Sequence, residues 1–240
     1  MRLRTHCVTC MHETMIAGGG PQEIAVTLLA LRDDGKYDLV CPKGHEYALV
    51  IQGTKYEVLY EIALNAYRDG YYREAISSFA ASLERFYEFL LGAIFHFTGQ
   101  SPAFAASWTI VGAMSERQLG AYALCSGLHF GVAPKVLRPK FVELRNRVVH
   151  KGYIPQPEES LEFGQEVCEV IVAALDQVYD KYGDTFRDFY YAQMPQYEAP
   201  SKPILHYVMV GIRWEDIKAK ESPSRSVRHS LTRMFGPGVV

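Results

Sequence analysis

Two groups of residues in this sequence have the types and the spacing that chemistry requires. The first is an arginine and a histidine separated by four residues, Arg145 and His150, with Asn146 directly after the arginine. An imidazole titrates near neutral pH and can move a proton. A guanidinium can bind a phosphate through two parallel hydrogen bonds and can stabilise negative charge that develops on it. This group is therefore suited to acid–base chemistry on a phosphate ester.

The second group is a set of soft metal ligands within the first fifty residues. Cys7 and Cys10 form a Cys-x2-Cys pair, and the segment from Cys41 to His45 supplies a further cysteine and a histidine. Zinc binds three thiolates and one imidazole in a tetrahedron, and a site whose four positions are all filled by protein has none open for catalysis. The spacing predicts a structural zinc site, with Zn²⁺ as cofactor and Cys7, Cys10, Cys41 and His45 as its ligands.

The chain between the two ligand pairs predicts a β-hairpin. Residues 24–31 are rich in β-forming residues, an Asp-Asp-Gly turn stands at 33–35, and residues 37–40 are again suited to an extended strand. A hairpin of these strands would bring the ligand pairs together, and the segment resembles a zinc ribbon. His6 and His12 flank the first pair and are alternatives for the fourth ligand position.

The arginine–histidine group lies on a predicted amphipathic helix. Four apolar residues fall on one face of this helix, at spacings of four, three and four: Leu137, Phe141, Leu144 and Val148. Arg145 lies at the margin of that face, whereas Asn146 and His150 stack on the far side. Val142 and Val149 lie between them. A second apolar strip beside exposed polar groups predicts that another subunit or another helix covers the far side.

Apolar residues recur with a period of about 3.6 on both sides of this helix, and they predict an antiparallel helical bundle. The predicted helices run from Lys55 to the break at Asp69 and Gly70, from Tyr72 to Thr98, over 104–114, over 116–128 with Ser115 as N-cap, and over 157–182. Glu84 and Glu88 lie in the middle of the long second helix. Either carboxylate is a candidate to orient Arg145, although a solvated or ion-paired face is the simpler interpretation.

These segments predict a mainly α protein in three parts. Residues 1–53 form a zinc-ribbon-like domain, residues 54–190 form the helical bundle, and residues 191–240 form a C-terminal extension. The extension contains a possible strand at 204–214 and a basic tail from Lys218, which is typical of a mobile solvated segment and could contact RNA phosphates.

Length and composition limit the classes of function. The 240 residues are long enough for a substantial core, and the formal net charge of −2 provides no overall basic field to attract nucleic acid. No apolar run reaches the ~18 residues that span a bilayer, and the first ten residues lack the apolar core of a signal peptide. Five cysteines, an odd number, favour metal binding over a disulfide framework. We therefore expect a cytoplasmic protein with no membrane partner.

The Arg-x4-His spacing, with an asparagine directly after the arginine, resembles the motif of the HEPN family of helical-bundle ribonucleases. The resemblance covers residues 55–182. It implies that Arg145 and His150 of two protomers meet across a homodimer interface and cleave RNA without a metal, through attack by the 2′-hydroxyl, with Asn146 in support. It also implies a bacterial toxin or antiviral defence effector, with a possible antitoxin or defence-system partner.

One departure from the family pattern concerns regulation. Members that are silenced by a nucleotidyltransferase antitoxin have a tyrosine two residues after the histidine, whereas here the tyrosine is Tyr153, three residues after His150. Regulation by tyrosine modification is therefore not expected. A second hypothesis is a catalytically silent HEPN-like dimer that binds RNA or a protein through its zinc ribbon.

Overall fold

The computed structural model describes residues 2–20, 24, 26–197, 202–209, 211–212 and 226–237. Within these residues the chain is mainly helical and divides into two compact units. The first comprises the described residues of Met1–Thr54 and Gln193–Met209, and the second those of Lys55–Ala192 and Val210–Val240. The predicted C-terminal extension therefore contributes residues to both units. No described helix is both long enough and apolar enough to cross a membrane.

The first unit contains two small sheets and a short helix. Strands β1 (Arg2–His6) and β2 (Val26–Ala30) pair antiparallel, and β3 (Lys36–Val40) and β4 (Glu46–Gln52) form a second antiparallel pair. Helix α1 (Val8–Ile16) begins two residues after β1 ends. The unit thus has the β character that its alternating sequence predicts.

The predicted hairpin between residues 24–31 and 37–40 is wrong, because β2 and β3 pair with other strands. The backbone does turn at 33–35, where Gly35 has a φ of +61°. Strand β4, however, offers five consecutive buried residues, 47–51, and β3 pairs with this larger apolar surface. When a chain has several β-forming segments of similar length, the local sequence does not determine which of them pair with each other.

A fifth strand comes from the C-terminal part of the chain. The strand predicted at 204–214 is observed as β5 (Ile204–Val208), which pairs parallel with β4, with Ile204 opposite Ala48. Strand β4 is therefore central in a three-stranded sheet, which explains why it is buried along most of its length. The end of the predicted strand, at Trp214, lies outside the described residues.

The second unit is built on long helices that the apolar period predicts. Helix α2 (Lys55–Arg68) and helix α3 (Tyr72–Phe97) form a hairpin at Gly70, which has a φ of +79°. Their facing sides pack aromatic rings edge to face, with Tyr60 against Phe79 at 5.1 Å between ring centroids. These helices provide the core against which the rest of the unit packs.

Two shorter helices follow, with boundaries that differ from the predicted ones. Helix α4 spans Ser101–Val111 and helix α5 spans Ser115–Phe130. The prediction of Ser115 as N-cap is wrong, because Met114 occupies the cap position and Ser115 is the first residue of α5. The Ser115 hydroxyl instead donates to the neighbouring Glu116 carboxylate and accepts from Arg145, which lies on a later helix.

The arginine–histidine group lies on helix α6 (Pro139–Lys151), whose buried residues are Phe141, Leu144 and Val148. Leu137 was predicted on the same face, but it precedes the helix. Arg138 at the N-cap anchors this end of α6, because its guanidinium and its backbone N–H donate hydrogen bonds to the buried carboxylate of Glu166. Gly152, with a φ of +67°, ends the helix.

Helix α7 (Pro157–Tyr182) returns after a short turn, and α8 (Asp184–Ala192) follows it. The prediction of a mobile tail is wrong for Val227–Phe235, which forms helix α9. The Ser230 hydroxyl in α9 is buried and donates to the Gly211 carbonyl oxygen at 2.8 Å. The part of the predicted basic tail at 218–225 lies outside the described residues.

Helices α3 and α7 pack tightly at Gly164, which leads to a stability prediction. A Cβ at Gly164 would lie 2.6 Å from Cε2 of Phe79, whose ring is fully buried and cannot move away. We expect Gly164→Ala to lower the free energy of unfolding by about 2 kcal/mol, although alanine is the better helix former. Chemical denaturation monitored by circular dichroism would measure this change.

The matched control is Gly120→Ala on α5. A Cβ there would meet no atom within 4 Å, so only the helix propensity changes, and we expect stability to rise by up to about 1 kcal/mol. Equal effects of the two substitutions would show that the contact between Gly164 and Phe79 is not tight.

Candidate functional site

The four predicted metal ligands come together in the first unit. Their ligand atoms all lie within 4.8 Å of one another. Cys10 Sγ is 3.7 Å from Cys41 Sγ and 3.3 Å from His45 Nδ1, and Cys7 Sγ is 3.9 Å from the same nitrogen. A tetrahedron with metal–sulfur bonds of about 2.3 Å and a metal–nitrogen bond of about 2.0 Å separates its ligand atoms by about 3.5–3.8 Å. The cluster therefore fits a single tetrahedral metal ion.

Two tight backbone segments position these ligands. Cys7 is the N-cap of α1, so one helical turn brings Cys10 to the same side. Cys41 and His45 lie in the turn that joins β3 to β4, where the Cys41 N–H donates to the His45 carbonyl oxygen at 3.0 Å. Gly44 has a φ of +84°, a conformation that glycine adopts without strain.

The thiols affect one another's ionisation. Burial raises the pKa of Cys10 to about 11, and the neighbouring thiols of Cys41 and Cys7 add to this shift. Burial alone would raise the pKa of Cys41 as well, but hydrogen bonds from the backbone N–H groups of His45 and Lys43 lower that pKa to about 7. Crowded thiols oppose full ionisation of the cluster, and a bound cation would favour the thiolate form of each.

The surroundings of the cluster also fit a metal centre. His45 Nε2 lies 3.5 Å from Glu13 Oε1, and a carboxylate behind a ligating histidine orients its ring. Tyr47 is fully buried against the cluster and shields it from solvent. Among the described residues, His6 and His12 do not belong to the cluster, so the structure selects His45 from the three candidate histidines.

In the second unit, Arg145 is held by side chains from three helices. Its Nη2 donates to Glu84 Oε1 of α3 at 3.0 Å and to the Ser115 hydroxyl of α5 at 3.4 Å, while its Nη1 donates to Asn146 Oδ1 at 3.1 Å. The Arg145 side chain is only 19% exposed. Glu84, one of the two carboxylates considered for this role, is thus the partner of Arg145, whereas Glu88 pairs with a different arginine.

Arg145 and Asn146 line a pocket of about 110 Å³ between α3, α5 and α6. The remaining lining residues, mostly apolar, are Ala80, Leu83, Glu84, Tyr87, Ser115, Glu116, Leu119, Leu137 and Val142. A guanidinium has five N–H donors, of which three are used by the contacts above. The two remaining donors form no hydrogen bond with the described residues.

His150 lies at the exposed end of α6 and, within the described part of the chain, forms no hydrogen bond or ion pair. Glu116 is close to both motif residues. The pKa of its carboxyl is lowered, first by a hydrogen bond from its own backbone N–H, then by one from the Ser115 hydroxyl, and also by electrostatic interaction with the side chains of Arg145 and His150. An exposed imidazole that is not hydrogen-bonded to any described residue is accessible to a substrate.

Sequence reasoning did not identify Ser115 and Glu116 as part of this site. They lie thirty residues before Arg145, and no spacing rule connects the start of α5 to α6. Only the packing of α5 against α3 brings them to the pocket. Together with Glu84, Glu116 places two carboxylates beside one guanidinium, so the pocket of a single chain does not attract anions strongly.

The structure thus presents two groups of side chains with defined chemistry: a metal-ligand cluster in the first unit, and the Arg145 pocket with exposed His150 in the second. Comparisons of the chain with protein-family models, with curated proteins and with solved structures gave no match.

Proposed function

We propose that the second unit is a metal-independent endoribonuclease of the HEPN type, acting as a bacterial toxin or an antiviral defence effector. The observation that carries the proposal is the placement of the motif on α6. Arg145 lines a pocket, and two of its N–H donors are not used by any described residue. Asn146 accepts a hydrogen bond from Arg145, and His150 is exposed further along the same helix. These are the groups that phosphodiester cleavage by an internal hydroxyl requires.

In the proposed reaction the RNA supplies its own nucleophile. His150 removes the proton of the 2′-hydroxyl, and the 2′-oxygen attacks the adjacent phosphorus. Arg145 donates hydrogen bonds to the phosphorane as negative charge develops on its oxygens. The bond to the 5′-oxygen then breaks, and the leaving oxygen takes up the proton that His150 had removed, which restores the neutral imidazole. The products are a 2′,3′-cyclic phosphate and a 5′-hydroxyl.

Glu84 positions Arg145 in this proposal. A long arginine side chain has many rotamers, and fixing it before the substrate binds reduces the entropy lost on binding. The ion pair with Glu84 holds the guanidinium against α3. Asn146 adds a second fixed contact through its side-chain oxygen.

We also propose that a second copy of the chain completes the site. Val142 and Val149 on the outer face of α6 are 38% and 36% exposed, beside Asn146 and His150. A twofold axis along this face would bring two arginine–histidine pairs to one phosphate. The positive charge of the second arginine would then offset the negative charge of Glu84 and Glu116. Light scattering should give twice the 27.1 kDa of one chain, and a monomer that still cleaves RNA would contradict a composite site.

Digestion of RNA by the purified protein, followed by chemical analysis of the new ends, tests the proposed reaction. We expect a 2′,3′-cyclic phosphate and a 5′-hydroxyl, activity that persists in a chelator too weak to remove the cluster metal, and no cleavage of DNA. Products with a 5′-phosphate, or activity that depends strictly on added Mg²⁺, would indicate attack by water assisted by a metal.

One observation favours the alternative, a catalytically silent dimer that binds RNA or a protein through its first unit. Arg145 already forms an ion pair with Glu84, which partly neutralises its charge. A silent dimer predicts no RNA cleavage, and no effect on RNA integrity or cell growth when Arg145 or His150 is replaced. The digestion therefore separates the two functions.

For the first unit, we propose that the bound metal is zinc and that its role is structural. Three thiolates and one imidazole are a ligand set that zinc prefers, and the ligand atoms of Cys7, Cys10, Cys41 and His45 lie within 4.8 Å of one another. When bound, zinc would supply binding energy that stabilises the fold.

A further inference from the structure

An open groove of about 540 Å³ adjoins the Arg145 pocket along the outer side of α6. Val142 and Asn146 line both, and the groove continues past Glu143 to Arg147 and Lys151. Within the described part of the chain, neither Arg147 nor Lys151 forms an ion pair. Two cations that form no ion pair with a described residue thus line an open groove beside the candidate catalytic residues.

The structure holds Arg147 in a fixed position. Its guanidinium carbon lies 3.8 Å from the centroid of the Tyr153 ring, and its carbonyl oxygen accepts a hydrogen bond from the Tyr153 N–H at 3.1 Å. The Tyr153 hydroxyl in turn donates to Glu159 Oε2 at 2.8 Å, and Glu159 also accepts from the Gln156 N–H as part of the cap of α7. Arg147 is therefore pre-organised, which lowers the entropy lost when it binds an anion.

The positions along α6 separate two groups of polar residues. At 100° per residue, Arg145 is on one side of the outer face, Asn146 and His150 are at its centre, and Arg147 and Lys151 are on the other side. A helix with its side chains is about 10–12 Å across, which is wider than one phosphate group. A strand that crosses the helix would therefore present different phosphates to the two sides.

The charges indicate which side supplies affinity. Arg145 forms an ion pair with Glu84 and interacts electrostatically with Glu116, so the pocket alone attracts an anionic strand weakly. Among the described residues that line the groove, Glu143 is the one carboxylate beside Arg147 and Lys151, while Glu159 lies behind the Tyr153 ring and is bonded to its hydroxyl. The net positive charge near the site is thus on the groove side.

We propose that Arg147 and Lys151 bind the phosphate next to the scissile one, so that the substrate is a single-stranded RNA crossing α6 from Arg145 to Lys151. The strand is unpaired because a pocket of about 110 Å³ admits a phosphate with part of one nucleotide and excludes a duplex. This inference relies on the proposed function to identify the scissile phosphate. Binding of the strand, however, does not require cleavage and can be measured separately.

The test is the salt dependence of binding between the full-length, metal-loaded protein and a fluorescent 12-nucleotide oligouridine with 2′-O-methyl groups, which lacks the nucleophile. Each cation that contacts a phosphate of a single strand contributes about 0.7 to the slope of log K against log salt. We expect Arg147→Ala and Lys151→Ala each to lower the slope by about 0.7, and the double variant by about 1.4. Arg147→Lys retains the charge and should retain most of the slope.

Two controls distinguish a local contact from the overall charge. Arg187→Ala makes the same change of charge on α8, which follows the far end of the 26-residue helix α7, and should leave the slope unchanged. Glu143→Gln removes the carboxylate from the groove and should strengthen binding of the probe.

Three results would overturn the inference: no binding of the probe, an unchanged slope in the double variant, or an equal loss of slope in Arg187→Ala. Cleavage of RNA together with an unchanged slope would remove this inference and leave the proposed ribonuclease. If the slope is lowered in the variants but the protein does not cleave RNA, the strand-binding site is supported and the proposed reaction is refuted.

Discussion

Replacing either motif residue, as His150→Ala or Arg145→Ala, should slow the cleavage of RNA by about a hundredfold or more. Loss of a general base or of a donor to the developing oxyanion typically has an effect of this size. His150 is exposed, so its removal should leave the fold unchanged. The measurement is kcat/KM for a fluorogenic RNA, with the unfolding transition recorded for each variant.

Two further variants define the roles of the residues around the motif. Asn146→Ala should have a smaller effect, because Asn146 holds Arg145 and takes no part in proton transfer. Lys140→Ala is the matched control, since Lys140 lies in the first turn of the same helix, pairs with Glu162 on the surface, and should not affect the rate. Undiminished cleavage by His150→Ala would eliminate the proposed base.

Removing the proposed zinc should unfold the first unit. A structural zinc site supplies roughly 10 kcal/mol or more of apparent binding free energy, and small two- and three-stranded sheets with one short helix have little core of their own. Elemental analysis should find about one zinc per chain. Cys10→Ser should abolish stoichiometric binding and make the described residues before Thr54 sensitive to protease.

The matched control for the metal site is Cys125→Ser on α5. Cys125 is half-buried and lies outside the ligand cluster, so this variant should keep its zinc and its unfolding temperature. A folded protein purified without zinc, or a Cys10→Ser variant of unchanged thermal stability, would exclude a structural metal site.

The sequence by itself determined the long helices and the members of the metal-ligand cluster, and it placed Arg145 and His150 on one helix. Helices α2, α3 and α7 are where the apolar period of 3.6 places them, because an amphipathic stripe of several turns is a local property of the chain. The metal ligands could be selected because cysteine and histidine are the side chains that bind zinc and their spacing is short. Arg145 and His150 could be singled out because their side chains can bind a phosphate and move a proton, and because they lie close together in the sequence.

The tertiary structure decided which segments pair and which side chains meet. Strands β2 and β3 flank one turn yet pair with β1 and β4, and β5 joins β4 from about 150 residues away, because strand pairing depends on contacts between distant segments. Helix packing also decides that Glu84 is the partner of Arg145. It likewise places Ser115 and Glu116 in the lining of the pocket. No local pattern records such contacts, since each joins side chains whose separation along the chain is unrelated to their distance in space.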